Sequence, residues 1–212
     1  ESTDRWPSTE GDELAVPPPH SSYGFQKLAV EYFARAAWDQ YGVPFTILRP
    51  FNCVGVGERR ARGDVDIWSG SVSLAMSHVV PDLIQKILKG QDPLHILGSG
   101  DQVRCYTYGG DLARGIVDSL DAAGTRNEDF NLSTAISTTV RELAEIIWRH
   151  VHGPDRPLDF VHDDPYPHDV QQRVPDVSKA LEVFGFAADT PIDSVLDELV
   201  PWIASAIDKG LV

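Results

Sequence analysis

Apolar residues recur at helical spacing in several stretches, with short β-rich runs between them. In the first stretch, Phe25, Leu28, Ala29, Tyr32, Phe33 and Ala36 form one apolar stripe. It predicts a helix capped by Ser21 or Ser22, running to about Gln40 and closed by Gly42 and Pro44. Tyr23 and Lys27 fall on roughly the opposite side with Val30, Ala34, Ala37 and Tyr41, which leaves Glu31, Arg35 and Asp39 as a narrow polar strip. A helix apolar on two faces is expected to be covered on both, one by a sheet and the other by a neighbouring helix or subunit.

The same reading continues along the chain. Residues 1–20 are polar and proline-rich and read as a surface loop. A strand over residues 44–49 empties into a turn-rich loop over residues 50–57, and residues 58–72 look like an exposed excursion. Further helices are predicted over residues 79–88, 112–120 with Asp111 as cap, and from Thr138 or Thr139 to about His150 with Glu142 in the first turn. A short helix over residues 177–184 and an amphipathic one over 191–207 complete the set. Strands fit residues 95–97, 103–108, 130–132 and 158–161, with a turn at Gly98-Ser99-Gly100. Helices alternating with short strands, without a repeat or low-complexity tract, predict α/β architecture.

Composition changes this picture little, and charge changes it more. The 212 residues are 42% hydrophobic and 24% charged, ordinary for a globular protein and long enough for a real core. The formal charge of −14 disfavours nucleic acid as a partner, and an anionic ligand needs local arginines or helix amino ends. No apolar run reaches the roughly 18 residues of a membrane span, and no signal peptide opens the chain. Its first residues read as the middle of a loop. Cys53 and Cys105 lie in apolar segments outside any Cys-x-x-Cys spacing and are expected to be buried free thiols, which fits a cytoplasmic protein.

The candidate chemistry centres on Tyr23 and Lys27, which project from one helix face a turn apart. A free phenol is a poor base near neutrality, and an ammonium held close favours the phenolate. Such a pair gives a general base suited to a sugar hydroxyl, although the spacing also occurs on ordinary helix surfaces. His150, His152 and the run from His162 to Asp169 lack usual ligand spacing, so no metal is expected.

The order of motifs strengthens the case. Tyr23-Gly24-Phe25-Gln26-Lys27 is followed by Arg49-Pro50-Phe51-Asn52, His78-Val79-Val80-Pro81, and the run Gly98-Ser99-Gly100-Asp101-Gln102-Val103-Arg104. Residues 106–111 and Phe130-Asn131-Leu132 come next. From about residue 20 onward the chain resembles extended short-chain dehydrogenases/reductases, in particular NAD-dependent nucleotide-sugar epimerases and dehydratases like UDP-galactose 4-epimerase.

The resemblance implies a partial Rossmann-type parallel sheet, residues 1–75 and 105–135, with a smaller interleaved α/β substrate-binding domain, residues 76–104 and 136–212. It implies NAD as cofactor, a nucleotide-diphosphate sugar as substrate and a homodimer. Tyr23 would act as acid/base, Lys27 would hold the cofactor ribose, and Pro50 and Phe51 would line the cofactor. Asn52, Ser77, His78, Arg104, Asp169 and Arg173 would lie on the substrate side, the two arginines against the diphosphate. Asn52 also suits a turn, Arg104 a strand edge, and Asp111 a helix cap.

The family's Gly-x-x-Gly-x-x-Gly loop is not in this sequence, and Gly55-Val56-Gly57 is no substitute because it opens no helix. The catalytic Ser or Thr is expected upstream of the chain. Epimerase and dehydratase therefore stay open, as do a nucleotide-sugar-binding fragment without turnover and a related carbonyl reductase.

Overall fold

Ser21 starts the first helix by accepting the Gly24 amide on its hydroxyl at 2.9 Å, and Gly42 ends it at φ 67°. A left-handed residue at that point suits glycine, which carries no Cβ. The computed structural model describes residues 3–57, 68–73, 78–165 and 169–211. In chain order its elements are α1 (Ser22–Tyr41), β1 (Thr46–Pro50), β2 (Cys53–Val54), β3 (Trp68–Ser69), β4 (Val72–Ser73) and α2 (Val79–Leu88). Then come β5 (Leu94–Leu97), β6 (Val103–Arg104), β7 (Thr107–Tyr108), α3 (Gly109–Asp121), β8 (Glu128–Leu132) and β9 (Thr138–Thr139). The last are α4 (Val140–His152), β10 (Phe160–Asp163), β11 (Gln172–Arg173), α5 (Ser178–Phe184) and α6 (Ile192–Asp208). The mixed α/β class is as expected.

The chain divides into two compact units. Unit 1 comprises Glu1–Cys53, Cys105–Ser137 and Arg173–Asp189; unit 2 comprises Val54–Arg104, Thr138–Gln172 and Thr190–Val212. Residues 54–75 therefore fall in unit 2, and residues 173–189 in unit 1, unlike the boundaries read from the sequence. The second difference has a packing cause: Ala180, Phe186 and Ala188 join Leu112, Phe130 and Leu132 in one core, with Leu48 and Phe184 against it.

In unit 1, β1 and β8 pair in parallel, Thr46 opposite Glu128 through Pro50 opposite Leu132. The amino-terminal loop is tied to this unit through Ser8, whose amide donates to Val174 O at 2.9 Å and whose carbonyl accepts from the Asp176 amide at 2.8 Å. Glu10 accepts the Asn131 amide at 2.7 Å, and the Asn131 side chain donates to Ser8 O and Asp176 O, both at 3.1 Å. A buried β8 residue thus joins three separate segments.

Within this chain alone, neither apolar face of helix α1 is covered. None of its residues is buried. Phe25 and Phe33 on one face are 57% and 75% exposed, and Tyr23 and Tyr41 on the other 68% and 72%. The face turned into unit 1 is the polar strip, because Glu31 and Arg35 find ionic partners there. In unit 2 the opposite holds. Leu83, Ile84 and Ile87 of α2, Leu143 and Ile147 of α4, and Leu196 and Ile203 of α6 are all almost fully buried. Each such side chain contributes about 1.5–3 kcal/mol, so these helices are held by apolar burial. In this unit β5 pairs in parallel with β10, β6 antiparallel with β9, and β3 with β4 as a hairpin.

Other local expectations are corrected. The strand expected over residues 103–108 is two strands, β6 and β7, because the chain passes from one unit to the other between Arg104 and Cys105. Asp111 does not cap α3: Tyr108 takes the cap position, and Asp111 lies buried in the first turn, paired with Arg114 at 2.9 Å. Cys105 is buried as expected, whereas Cys53 is exposed, since it follows the turn at Asn52. Burial pushes the Cys105 thiol above its ordinary value, opposed in part by a hydrogen bond with Ser133. Most of the excursion, residues 58–67, and Ser77 lie outside the described residues.

Candidate functional site

Tyr23 and Lys27 occupy the first two turns of α1, and the Lys27 ammonium lies 5.4 Å from the centre of the Tyr23 ring. That is within the range of a cation–π contact and puts both side chains on one side of the helix. Both are exposed to solvent. No apolar residue of α1 is buried beside this pair, and the adjoining polar strip is where α1 makes its ion pairs.

There, Arg49 of β1 grips Glu31 with two parallel bonds, Nε to Oε1 at 2.8 Å and Nη2 to Oε2 at 2.6 Å. Its Nη2 also reaches Asp129 of β8 at 2.7 Å and Glu13 at 3.1 Å. Arg35 contacts Glu13 at 3.3 Å and Asp129 at 3.2 Å, and Lys179 contacts Asp129 at 3.2 Å and Glu128 at 2.8 Å. Burial alone would make Arg49 a weaker base, but Glu31, Glu13 and Asp129 outweigh it and hold the guanidinium charged more firmly than usual. Burial likewise opposes ionisation of Asp129, and Arg49 and Lys179 overcome it, holding the carboxyl below its ordinary range. Oxygens of Glu13, Glu31 and Asp129 lie within 4.8 Å of one another, a spacing that could suit a metal. Guanidinium groups already neutralise all three, so the cluster is an ion-pair network rather than a metal centre.

Sequence reading did not find this network. Its members come from the amino-terminal loop, α1, β1, β8 and α5, and no local spacing links them.

Arg49 is followed by Pro50 at the exposed end of β1 and by Phe51, whose amide donates to Leu132 O at 3.0 Å. Asn52 sits at φ 40°, a left-handed conformation that asparagine tolerates in turns. Its side chain does not close the turn on itself. It donates to Cys105 O at 3.1 Å, while its own carbonyl accepts the Thr107 amide at 3.1 Å.

In unit 2, Arg104 and Asp169 are brought together at 3.4 Å. The guanidinium is turned inward: it donates to Val103 O at 2.9 Å, Gln171 O at 3.4 Å and Val170 O. Gln102 donates to the other Asp169 oxygen at 2.8 Å. Arg104 is thus a clasp for the segment 169–171, not a surface charge. His78 is exposed at the amino end of α2. Arg173 is exposed and lies in unit 1, whereas Arg104 lies in unit 2.

A second polar cluster in unit 2 was also not foreseen. Asp163 accepts from Ser69 Oγ at 2.5 Å and meets His95 Nδ1 at 2.7 Å. The serine bonds the carboxylate and not the imidazole, so the cluster lacks the relay of a hydrolase triad.

Comparison with known proteins settles the family. The family model described as "NAD dependent epimerase/dehydratase family" matches residues 1–133. The chain belongs to this family. Among curated relatives, it is 30% identical over 185 residues to a putative UDP-glucose 4-epimerase of Methanocaldococcus jannaschii, covering 87% of this chain and 54% of that protein. It is 27% identical over 164 residues to a UDP-N-acetyl-alpha-D-glucosaminuronate decarboxylase of Bacillus cytotoxicus, covering 76% and 46% respectively. A solved UDP-glucose 4-epimerase from Thermotoga maritima, crystallised with UDP-glucose, superposes with a TM-score of 0.77 at 26% identity, covering 98% of this chain and 60% of that one. This epimerase/dehydratase chain therefore spans about half the length of the curated relatives it matches. Among the described residues, no helix is long and apolar enough to cross a membrane.

Proposed function

We propose that the chain contributes to an NAD-dependent epimerase or dehydratase of nucleotide-diphosphate sugars, with Tyr23 as acid/base and Lys27 beside it. The observation that carries this reading is the exposed Tyr23–Lys27 pair at the leading end of α1, in a chain of the epimerase/dehydratase family. An ammonium and a phenol on one open side form a donor set suited to ribose and sugar hydroxyls, which makes this face compatible with NAD. When bound, NAD supplies the acceptor for hydride. Tyr23 would remove the hydroxyl proton from the sugar carbinol, and Lys27 would hold the cofactor ribose and assist Tyr23 from beside it. Pro50 and Phe51 line the cofactor side.

In this reading unit 1 is the cofactor-side domain and also offers Asn52 and Arg173 to the substrate, while unit 2, the sugar-nucleotide side, offers Ser77, His78, Arg104 and Asp169. Arg104 would have to exchange its carbonyl partners for diphosphate oxygens on binding. The protein would work in the cytoplasm as a homodimer. Turnover of UDP- and dTDP-sugars, measured on a polypeptide that carries this chain, tests the assignment. Tyr23→Phe is expected to abolish it, and unchanged turnover would overturn the role of Tyr23.

A second reading has its own observation, the lack of a Gly-x-x-Gly-x-x-Gly loop in this sequence. On that reading the chain alone binds a nucleotide sugar without turnover. Isothermal titration separates the two: micromolar NAD binding by this chain alone would refute the need for the loop.

A further inference from the structure

Arg49 has no place in the chemistry above, yet it makes the tightest contacts to the helix that carries it. Glu31 lies one turn beyond Lys27 and two beyond Tyr23. At 3.6 residues per turn it stands roughly 40° and 80° around the axis from them. Fixing Glu31 therefore fixes where both side chains point. Within this chain apolar burial does not do so, since none of the α1 residues is buried. The forked grip can, because two parallel bonds define an orientation as well as a distance. Arg49 also stands next to Pro50 at the end of β1, so one guanidinium joins α1 to the loop that runs through Phe51 and Asn52.

We propose that Arg49 is a positioning residue that sets the roll of α1, and hence the aim of Tyr23 and Lys27 relative to the Pro50–Phe51–Asn52 loop; its catalytic consequence rests on the function proposed above. Asp129 and Glu13 share the Nη2 that bonds Glu31, so the guanidinium is tied to β8 and to the amino-terminal loop at the same corner that grips α1. Lysine at the same position keeps the charge and loses the orientation.

The test is a distance distribution between spin labels on the exposed native Cys53 and on Gln26→Cys, in this chain. The parent is expected to give one narrow population. Arg49→Lys and Glu31→Gln are each expected to broaden or shift it, with circular dichroism unchanged. The double substitution is expected to go no further than either single one, because both remove the same contact. A distribution identical to the parent in both variants would overturn the proposal. If Arg49→Lys fails to fold, the isosteric Glu31→Gln decides alone.

In a polypeptide with measurable turnover, both variants are expected to lower kcat by about 10²-fold. KM should stay within about twofold, as expected for a transition-state effect. Unchanged kcat beside a broadened distribution would overturn the catalytic consequence only. An active Tyr23→Phe enzyme would overturn the earlier reading, leaving the distance measurement to judge the clamp.

Discussion

Lys86 is 1% exposed, with its ammonium 2.8 Å from Asp82 Oδ2 and 3.1 Å from His95 O. Burial raises the Asp82 carboxyl above its ordinary range, and Lys86 offsets only part of that. Removing one partner of a buried pair leaves an uncompensated charge, so Lys86→Met is expected to cost about 3–5 kcal/mol in urea unfolding. Asp82→Leu with Lys86→Met is expected to recover most of it, since both charges then leave together. In the sequence this pair looks like any surface ion pair one turn apart on a helix, because spacing carries no information about burial. The proximity of Tyr23 and Lys27 was legible for the converse reason: it depends on one helical turn, which is written in the chain itself. Arg49 sits in a quoted motif, but its partners Glu13, Glu31 and Asp129 are distant in sequence, so its role appears only on folding.

At the level of elements, α2, α4 and α6 were legible because apolar stripes at helical spacing meet well-defined ends. In α4, Thr139 accepts the Glu142 amide while Glu142 accepts the Thr139 amide, the reciprocal cap that Thr and Glu at this spacing predict. Thr139→Ala is expected to cost about 1 kcal/mol in chemical unfolding. Helix α3 carries a feature no pattern reveals. A Cβ added at Gly115 would stand 2.5 Å from the buried Phe186 ring. Phe186 is itself only 3% exposed, so Gly115→Ala is expected to destabilise unit 1 by about 1–3 kcal/mol through overpacking, read from its melting transition. The surrounding pattern predicted the helix; the approach of a ring from another segment decides which of its residues must be small.

For the whole molecule, several carboxylates are held below their ordinary range: Asp129 where Arg49 and Lys179 overcome burial, Asp163 where Ser69 and His95 do, and Asp176 through hydrogen bonds from Ser178. The folded state binds these protons less tightly than the unfolded chain. Their contribution is complete above the unfolded aspartate value of about 3.9 and is lost as pH falls through the lower folded values. Urea unfolding is therefore expected to show stability falling below about pH 4, with a flatter decline in Asp129→Asn.

The interleaving of the units reaches further than folding energetics. The chain changes unit at residues 53/54, 104/105, 137/138, 172/173 and 189/190. During synthesis neither unit can close before residues 173–189 for one and 190–212 for the other have left the ribosome. Helix α6 belongs to the 190–212 stretch and supplies Leu196 and Ile203 to the interior of unit 2, so a nascent chain stopped at Asp189 leaves that interior short of a wall. Evolution by recombination meets the same constraint: a single crossover cannot transplant unit 2 from a relative, which requires three stretches to be exchanged together.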